Sequence, residues 1–175
     1  MHKIVDYLRL ILFAGGVLLG VQVPELVDQY GKSLRAHLLE SSLSLKEFEG
    51  DAQRYFNGDL DKLIAHYQNN ADPVIKDGGA SISTIYSRNL LLNQAWAAFS
   101  ESTYSAYSQV FFTPLTDIKT EVWSNYNYSI VLSPSAIISG LSCGFLLALL
   151  VELSSLLTGN LLQQIFRLRA KMTAH

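Results

Sequence analysis

Few residues in this sequence have the types and spacing that chemistry requires. His37 and Glu40 lie three residues apart on one predicted helix and His66 lies on another, so a metal site could be drawn from them. No third ligand is evident beside them, and histidines on amphipathic helices are usually ordinary surface or core residues. Gly78-Gly79 lacks the pattern of a phosphate-binding loop, Arg88 is expected to be solvated or in a salt bridge, and no nucleophile is paired with a base. We therefore predict that the protein is not an enzyme and uses no metal or other cofactor.

Two charges stand inside long apolar stretches at the two ends of the chain. At 1.5 Å per helical residue, Arg9 lies about 21 Å from Val23, and Glu152 lies about 25 Å from Ser135. The two side chains are therefore expected at similar depth in a membrane, where an unpaired charge is costly. We predict an intramembrane ion pair, Arg9–Glu152, that fixes the register of two helices. The alternative, Glu152 as a proton or ion site, is disfavoured because one acid at the end of a span makes no pathway.

The apolar stretches cover residues 4–23 and 135–157, and each is close to the ~20 residues that a helix needs to cross a bilayer. The first stretch could be a secretory signal, but no small-x-small cleavage site follows it. The second could be a buried helix, but a soluble domain of this size seldom contains about 23 nearly uncharged residues in a row. We predict two transmembrane helices, a middle domain at 24–134, and a short, basic, amphipathic cytoplasmic tail at 158–175.

Charge distribution predicts the orientation in the membrane. Basic residues flank the outer ends of both spans, whereas the middle domain carries eight basic and thirteen acidic residues, a net charge of −5. The positive-inside rule then places both termini in the cytoplasm and the middle domain outside, which in a Gram-negative bacterium is the periplasm. Cys143, the single cysteine, excludes an intramolecular disulfide. The sequence contains no basic patch of the kind that would indicate nucleic-acid binding.

Small residues recur at every fourth position in both spans. These helix-packing residues are Gly16 and Gly20 in the first span, and Ala136, Gly140, Gly144 and Ala148 in the second. Such spacing lets helix backbones approach closely in lipid. Two interpretations stay open: both sets pack within one helix pair, or one set serves the pair and the other a neighbouring subunit. We predict a homo-oligomer.

Helical periodicity dominates the middle domain, and no strand-like alternation is sustained. Apolar positions at steps of three and four (Gly16, Leu19, Val23, Val27, Tyr30, Leu34, Leu38, Ser41, Leu45, Phe48) predict one long helix that continues the first span. We expect it to kink at Pro24 and to end at Gly50. A short helix should follow with Leu60, Leu63, Ile64 and Tyr67 inward and a stop at Asp72-Pro73.

The second half of the middle domain contains another long series of apolar positions at steps of three and four, which would form one face (a seam) of a helix. After a predicted turn at residues 77–79, apolar spacing from Ile82 to Val110 predicts a helix of roughly 30 residues in which Asn89 could set the register. Thr113-Pro114 should begin a final short helix carrying Leu115, Ile118 and Val122. Trp123, Tyr126 and Tyr128 fit an aromatic belt at the membrane interface, and Ser133-Pro134 should open the second span. The predicted fold is all-α, with two transmembrane helices flanking an extracytoplasmic helical bundle.

The opening segment LRLILFAGGVLLGVQVPELVDQYGKSLRAHLLE resembles the start of DUF2937, a family of uncharacterised bacterial inner-membrane proteins. The similarity extends along the chain and includes Gln22, Pro24, Asp28-Gln29-Tyr30, Asp72-Pro73, Arg88 and the glycine-rich second span with Glu152. The resemblance implies an inner-membrane protein with two spans, and it brings no catalytic residues.

These observations predict a non-enzymatic inner-membrane protein that works as a self-associating scaffold or as an accessory subunit of an envelope complex. Its expected partners are membrane lipid, further copies of the chain and an envelope protein. An oligomeric pore or transport component is the alternative, although neither span has a polar stripe beyond Arg9, Gln22 and Glu152. An envelope sensor is a third interpretation, weakened by the short predicted cytoplasmic ends.

Overall fold

The computed structural model describes the backbone of residues 2–126 and 133–172, and side chains within residues 5–126 and 133–156. In this part of the chain the fold is all-α, as predicted. Its six helices are α1 (His2–Phe56), α2 (Leu60–Gln68), α3 (Pro73–Ser100), α4 (Thr103–Phe112), α5 (Thr116–Asn125) and α6 (Pro134–Met172). The chain forms two compact units: unit 1 comprises Met1–Leu26 with Asn127–His175, and unit 2 comprises Val27–Tyr126. Tyr128, assigned above to the aromatic belt, lies outside the described residues.

Helix α1 contributes to both units and confirms the predicted continuity of the first apolar stretch with a long polar helix. Pro24 lies inside it, so the carbonyl of Gly20 lacks its usual amide donor, and the helix nevertheless continues. The predicted helix end at Gly50 is wrong. One internal glycine costs about 1 kcal/mol relative to alanine, and the next turn contains Ala52, which is buried in the core of unit 2 and favours continuation.

The true end of α1 has a specific backbone geometry. Asn57 (φ 55°) and Gly58 (φ 83°) both adopt left-handed conformations, which asparagine and glycine tolerate best. The amide of Gly58 donates to the carbonyl of Ala52 at 3.0 Å. Asp59 then caps α2, because its carboxylate accepts a hydrogen bond from the amide of Lys62 at 3.0 Å.

Helices α2 and α3 follow the prediction at their junction but not beyond it. Asp72 caps α3 by accepting from the amide of Val74 at 2.9 Å, and Pro73 occupies the first turn. The predicted turn at residues 77–79 is wrong, because both glycines lie inside α3. Gly79 instead allows a close approach to α2: a Cβ atom there would lie 2.9 Å from the backbone nitrogen of Gln68.

The predicted long helix from Ile82 to Val110 is also wrong, since α3 ends at Ser100 and α4 begins at Thr103. Ser102 and Ser105 form a reciprocal cap between the two helices. The amide of Ser105 donates to Ser102 Oγ at 3.0 Å, and the amide of Ser102 donates to Ser105 Oγ at 2.8 Å. The apolar spacing continues across this corner, so periodicity alone conceals the break.

The core of unit 2 is assembled from five helices, α1 to α5. Its fully buried large side chains are Tyr30, Leu34 and Leu45 of α1, Leu92 of α3 and Ile118 of α5. Asn89 is also buried, and its side-chain amide donates to Ser42 Oγ at 3.0 Å, which joins α3 to α1. A buried amide needs such a partner, so the cross-helix bond disfavours other alignments of the two helices.

Polar contacts fasten α5 to its neighbours within unit 2. The Tyr30 hydroxyl accepts from the amide of Leu115 at 2.9 Å, and burial raises the pKa of this phenol. Arg88 pairs with Asp117, which joins α3 to α5. Helix α5 itself confirms the short helix predicted before the second span, although it begins at Thr116 rather than at residues 113–114.

A second polar cluster joins α5 to α1. Nε2 of His37 lies 2.6 Å from Oε2 of Glu121, and Ser33 Oγ donates to Oε1 of the same carboxylate at 3.1 Å. These two hydrogen bonds, first that of His37 and then that of Ser33, hold the pKa of Glu121 below its ordinary value of 4.5. The partner of His37 is therefore on another helix, not the neighbouring Glu40.

This cluster predicts a contribution to the acid sensitivity of unit 2. Because the folded pKa of Glu121 is depressed, its stabilisation is present above pH 4.5 and is lost as the pH falls through the lower folded value. We expect the wild type to lose more stability than Glu121→Gln below pH 4.5, by less than about 1 kcal/mol because the pair is exposed. Urea unfolding in detergent, followed by tryptophan fluorescence, measures the difference. Glu40→Gln, which removes an exposed carboxylate from α1, should keep the wild-type acid slope. Equal slopes for wild type and Glu121→Gln would contradict the prediction.

Candidate functional site: the glycine-packed helix pair of unit 1

Two helix segments of unit 1 are long and apolar enough to cross a membrane. The most apolar windows of α1 and of α6 have mean hydropathies of 2.0 and 2.2. Their large apolar side chains point outward, as illustrated by Leu10 (63 % exposed) and Phe145 (64 % exposed). Exposed apolar surface on this scale is typical of an interaction with lipid or with another protein.

The contact between the two helices is made by glycines. A Cβ atom at Gly16 would lie 2.9 Å from the Cα atom of Gly144, and one at Gly20 would lie 2.8 Å from the Cα atom of Gly140. The backbones therefore touch at two levels, one turn apart on each helix. Close backbone approach of this kind favours association of helices in lipid, because it maximises van der Waals contact.

Larger side chains fill the space on either side of the glycines. Val17 of α1 packs between Gly140 and Gly144, since Cβ atoms at those positions would lie 3.0 Å from its carbonyl oxygen and 2.7 Å from its Cγ2 atom, respectively. The rings of Phe13 and Phe145 meet edge to face with centroids 6.2 Å apart. The sequence patterns did not single out these packing partners, because a valine or phenylalanine in an apolar span carries no distinctive signal.

The remaining small residues occupy different environments. Ala136 is 2 % exposed, whereas Ala148 is half-buried. Gly15 has open space around the position that a Cβ would take. Among the predicted packing residues, Gly16, Gly20, Gly140 and Gly144 thus meet within one pair of helices. The geometry matches the first of the two interpretations above and leaves neither glycine pair for a neighbouring subunit.

The two predicted charges are brought together in unit 1. Nη1 of Arg9 donates to Oε2 of Glu152 at 3.2 Å. Asp6, which the sequence patterns did not single out, lies one turn before Arg9, and its Oδ1 atom is 3.4 Å from Nη2. One guanidinium therefore serves two carboxylates. All three side chains are substantially exposed in the protein, so their surroundings are set by the medium around unit 1.

The arrangement predicts an order of effects for removing each charge. Arg9→Leu leaves two carboxylates without their cation, whereas Glu152→Leu leaves Arg9 still paired with Asp6, so Arg9→Leu should destabilise the helix pair more. The double variant should be more stable than the sum of the single effects predicts, by about 0.5–3 kcal/mol of coupling energy. The stability of the helix pair can be measured in an SDS titration, as the SDS mole fraction at which Cys143 becomes reactive toward an uncharged maleimide. Strictly additive effects would contradict a functional ion pair.

Other residues with chemical potential stay apart. His37, Glu40 and His66 do not form a common site, and within the described side chains no group of three or more His, Cys, Asp or Glu could hold a metal ion. Trp123 is 52 % exposed, consistent with its assignment to an interface. Tyr126 departs from that assignment, because only 9 % of it is exposed and it packs 6.2 Å from the Trp123 ring within unit 2.

Comparison with known proteins identifies the family. Residues 4–164 match the family model DUF2937, described as a protein of unknown function. The chain belongs to the DUF2937 family. No curated protein and no solved structure matches it. For this DUF2937 protein, functional inference therefore depends on the geometry of the two units themselves.

Proposed function

We propose that this DUF2937 protein is a non-enzymatic integral protein of the bacterial inner membrane that self-associates and acts as a scaffold or as an accessory subunit of an envelope complex. The observation that carries the proposal is the helix pair of unit 1, which is closed by glycine contacts on its inner side and covered by large apolar side chains on its outer side. This arrangement suits a membrane anchor, because hydrocarbon can cover the outer surface without cost.

The proposed orientation follows from charge. Lys3 and Arg9 near the start of α1, and the basic residues after residue 157, favour a cytoplasmic location for both termini. The middle of the chain, with its net negative charge, would then lie in the periplasm. Unit 2 would be the part of the protein that meets other envelope components.

Unit 2 supports a binding role through its exposed apolar side chains. Leu39 and Leu43 of α1 are 57 % and 64 % exposed, and their spacing of four places them on one face of the helix. Tyr104 and Phe112 of α4 are each more than 80 % exposed. Exposed apolar surface on a helical domain is typical of protein–protein contact. Because the glycines of unit 1 are occupied within their own helix pair, we place self-association on surfaces of this kind.

Native mass spectrometry of the protein, extracted into nanodiscs from its own host, tests the proposal. A defined homo-oligomer, with or without a second protein bound, is the expected result. A single chain bound to a second protein would contradict self-association and would leave only the accessory role. Leu39→Ala with Leu43→Ala should lower the oligomeric mass, whereas Leu19→Ala, at an exposed position of unit 1, serves as the control and should leave it unchanged. A single chain with lipid alone would contradict both the scaffold and the accessory role.

A further inference from the structure

A pocket of about 450 Å³ opens between the last third of α1 and helix α2, entirely within unit 2. Its volume falls in the range of small-ligand sites. Its walls combine one carboxylate with aromatic and imidazole rings and a single aliphatic side chain: Asp51, Tyr55, Phe56, Leu63, His66 and Tyr67. A lone carboxylate among aromatic rings is the combination that favours an organic cation, because the carboxylate supplies charge and the ring faces attract cations.

Helical spacing explains why these side chains converge. Asp51 and Tyr55 are four residues apart on α1 and therefore share a face, and His66 and Tyr67 follow Leu63 by three and four residues on α2. Burial of Leu63 against the core of unit 2 turns this face of α2 toward α1. The site is thus built on two packed helices rather than on a loop.

The rings form a continuous aromatic wall. The centroid of the His66 ring lies 5.5 Å from that of Phe56 and 6.5 Å from that of Tyr67. Tyr55, on the same face of α1 as Asp51, is 72 % exposed and so presents its ring to an incoming group. A flat cation could stack on these rings while its N–H groups point at the carboxylate.

The carboxylate of Asp51 is available for a ligand. Its nearest cation is Nη1 of Arg54, at 3.6 Å, and the Arg54 side chain is 68 % exposed. An exposed pair of this kind contributes little free energy, so a ligand can displace it. Asp59, by contrast, is already engaged by Nζ of Lys62 at 2.9 Å. Residues 46–62 contain five acidic and three basic side chains, so the surroundings of the pocket are negative and attract a cation.

We infer that this pocket binds a guanidinium group, presented by an arginine side chain of a partner protein. A guanidinium is planar, matches a carboxylate through two N–H groups and stacks on aromatic rings, whereas an ammonium is compact and strongly hydrated. The inference rests on the proposed function, since it names the chemistry by which unit 2 would recognise a partner. Asp51 is the charge partner, and Tyr55 is the stacking platform.

Titration of the full-length protein in detergent micelles with acetyl-arginine-amide, followed by NMR, tests the inference. Acetyl-citrulline-amide, which has nearly the same shape but no charge, and acetyl-lysine-amide are the matched probes. We expect saturable binding of the arginine probe, no binding of the citrulline probe, and weaker binding of the lysine probe. No saturation with arginine, or equal binding of either other probe, would overturn the assignment.

Variants locate the binding in this pocket. Asp51→Asn should weaken binding of the arginine probe about tenfold or more, and Tyr55→Leu should weaken it about two- to fivefold. Glu49→Gln removes the same charge from an exposed position two residues away on α1 and should change nothing. Equal losses from Asp51→Asn and Glu49→Gln would show attraction to net charge only and would overturn the site. Circular dichroism and urea unfolding verify that each variant is folded. The titration uses the purified protein and requires no partner protein. A failure to bind the arginine probe is therefore separable from the mass-spectrometric outcome for the proposed function.

Discussion

Gly20→Ala is expected to loosen the pair of helices in unit 1 by about 1–3 kcal/mol, a typical cost of forcing extra atoms into a packed contact. The added Cβ atom would lie 2.7 Å from the carbonyl oxygen of Ser139 and 2.8 Å from the Cα atom of Gly140. Both are backbone atoms, so relief requires the helices to separate rather than a side chain to rotate. Separation would also weaken the contact of Val17 with the glycines of α6.

The single cysteine provides the readout for this prediction. In an SDS titration, the mole fraction at which Cys143 becomes reactive toward an uncharged maleimide should fall in Gly20→Ala. Gly15→Ala is the matched control, because nothing lies within 4 Å of its added Cβ atom. Gly20 itself contacts Cys143, so Gly16→Ala, which contacts Gly144 and Leu147 instead, guards against a purely local effect. Similar midpoints for Gly15→Ala, Gly16→Ala and Gly20→Ala would contradict the packing.

Gly78→Ala and Gly79→Ala, at adjacent positions of α3, are expected to change the stability of unit 2 in opposite directions. A Cβ atom at Gly79 would lie 2.9 Å from both the backbone nitrogen of Gln68 and the Cβ atom of Tyr67, which forces α2 away from α3 at a cost of about 1–3 kcal/mol. A Cβ atom at Gly78 would meet only Tyr67 Cδ1, at an ordinary 3.7 Å. Since alanine favours a helix interior over glycine, Gly78→Ala should stabilise unit 2 by up to about 1 kcal/mol.

Urea unfolding followed by tryptophan fluorescence measures both changes in the full-length protein. Trp96 and Trp123 are the only tryptophans, and both lie in unit 2, so the signal reports this unit without removing it from the chain. Gly50→Ala provides a further control, because its added Cβ atom has open space around it within α1. Destabilisation by Gly78→Ala as large as that by Gly79→Ala would contradict the close contact between α2 and α3.

Glycine shows where reasoning from the sequence succeeded and where it failed. Helical spacing correctly predicted an all-α fold, the short helix α2 and the cap at Asp72, because these depend on local patterns. The sequence predicts a helix end at Gly50 and a turn at Gly78-Gly79, yet all three glycines lie inside helices. A glycine that ends a helix and one that admits a neighbouring backbone look alike in sequence, and only tertiary packing distinguishes them.

The inward-facing side of α1 is a second feature that the sequence predicted only in part. The seam drawn from the sequence correctly buried Tyr30 and Leu34 in unit 2, where large apolar side chains fill a core. Continued into unit 1, the same seam placed Leu19 inward, but Leu19 is 64 % exposed while Gly20 meets α6. In the apolar segment small side-chain size, rather than hydrophobicity, determines the helix interface, because nearly every side chain there is apolar.

Most contacts between polar residues that are distant in the sequence could not be predicted, for a different reason. The pairing of Arg9 with Glu152 could be suggested because both are isolated charges in apolar segments. Glu121 and Asp117 are ordinary acids on a polar helix, and nothing in their spacing indicates His37 or Arg88 as partners. Such pairings depend on how α5 lies against α1 and α3, which local patterns do not specify.

Cysteine accessibility in bacterial spheroplasts tests most directly the central claim that two apolar helices anchor the protein and place unit 2 outside the cytoplasm. In a Cys143→Ser background, Ser87→Cys in unit 2 and Ala174→Cys near the C-terminus would each be treated with a membrane-impermeant maleimide. We predict that the cysteine at position 87 reacts in intact spheroplasts, and that the one at position 174 reacts only after lysis. Reaction of both only after lysis, or recovery of the protein outside the membrane fraction, would contradict the claim.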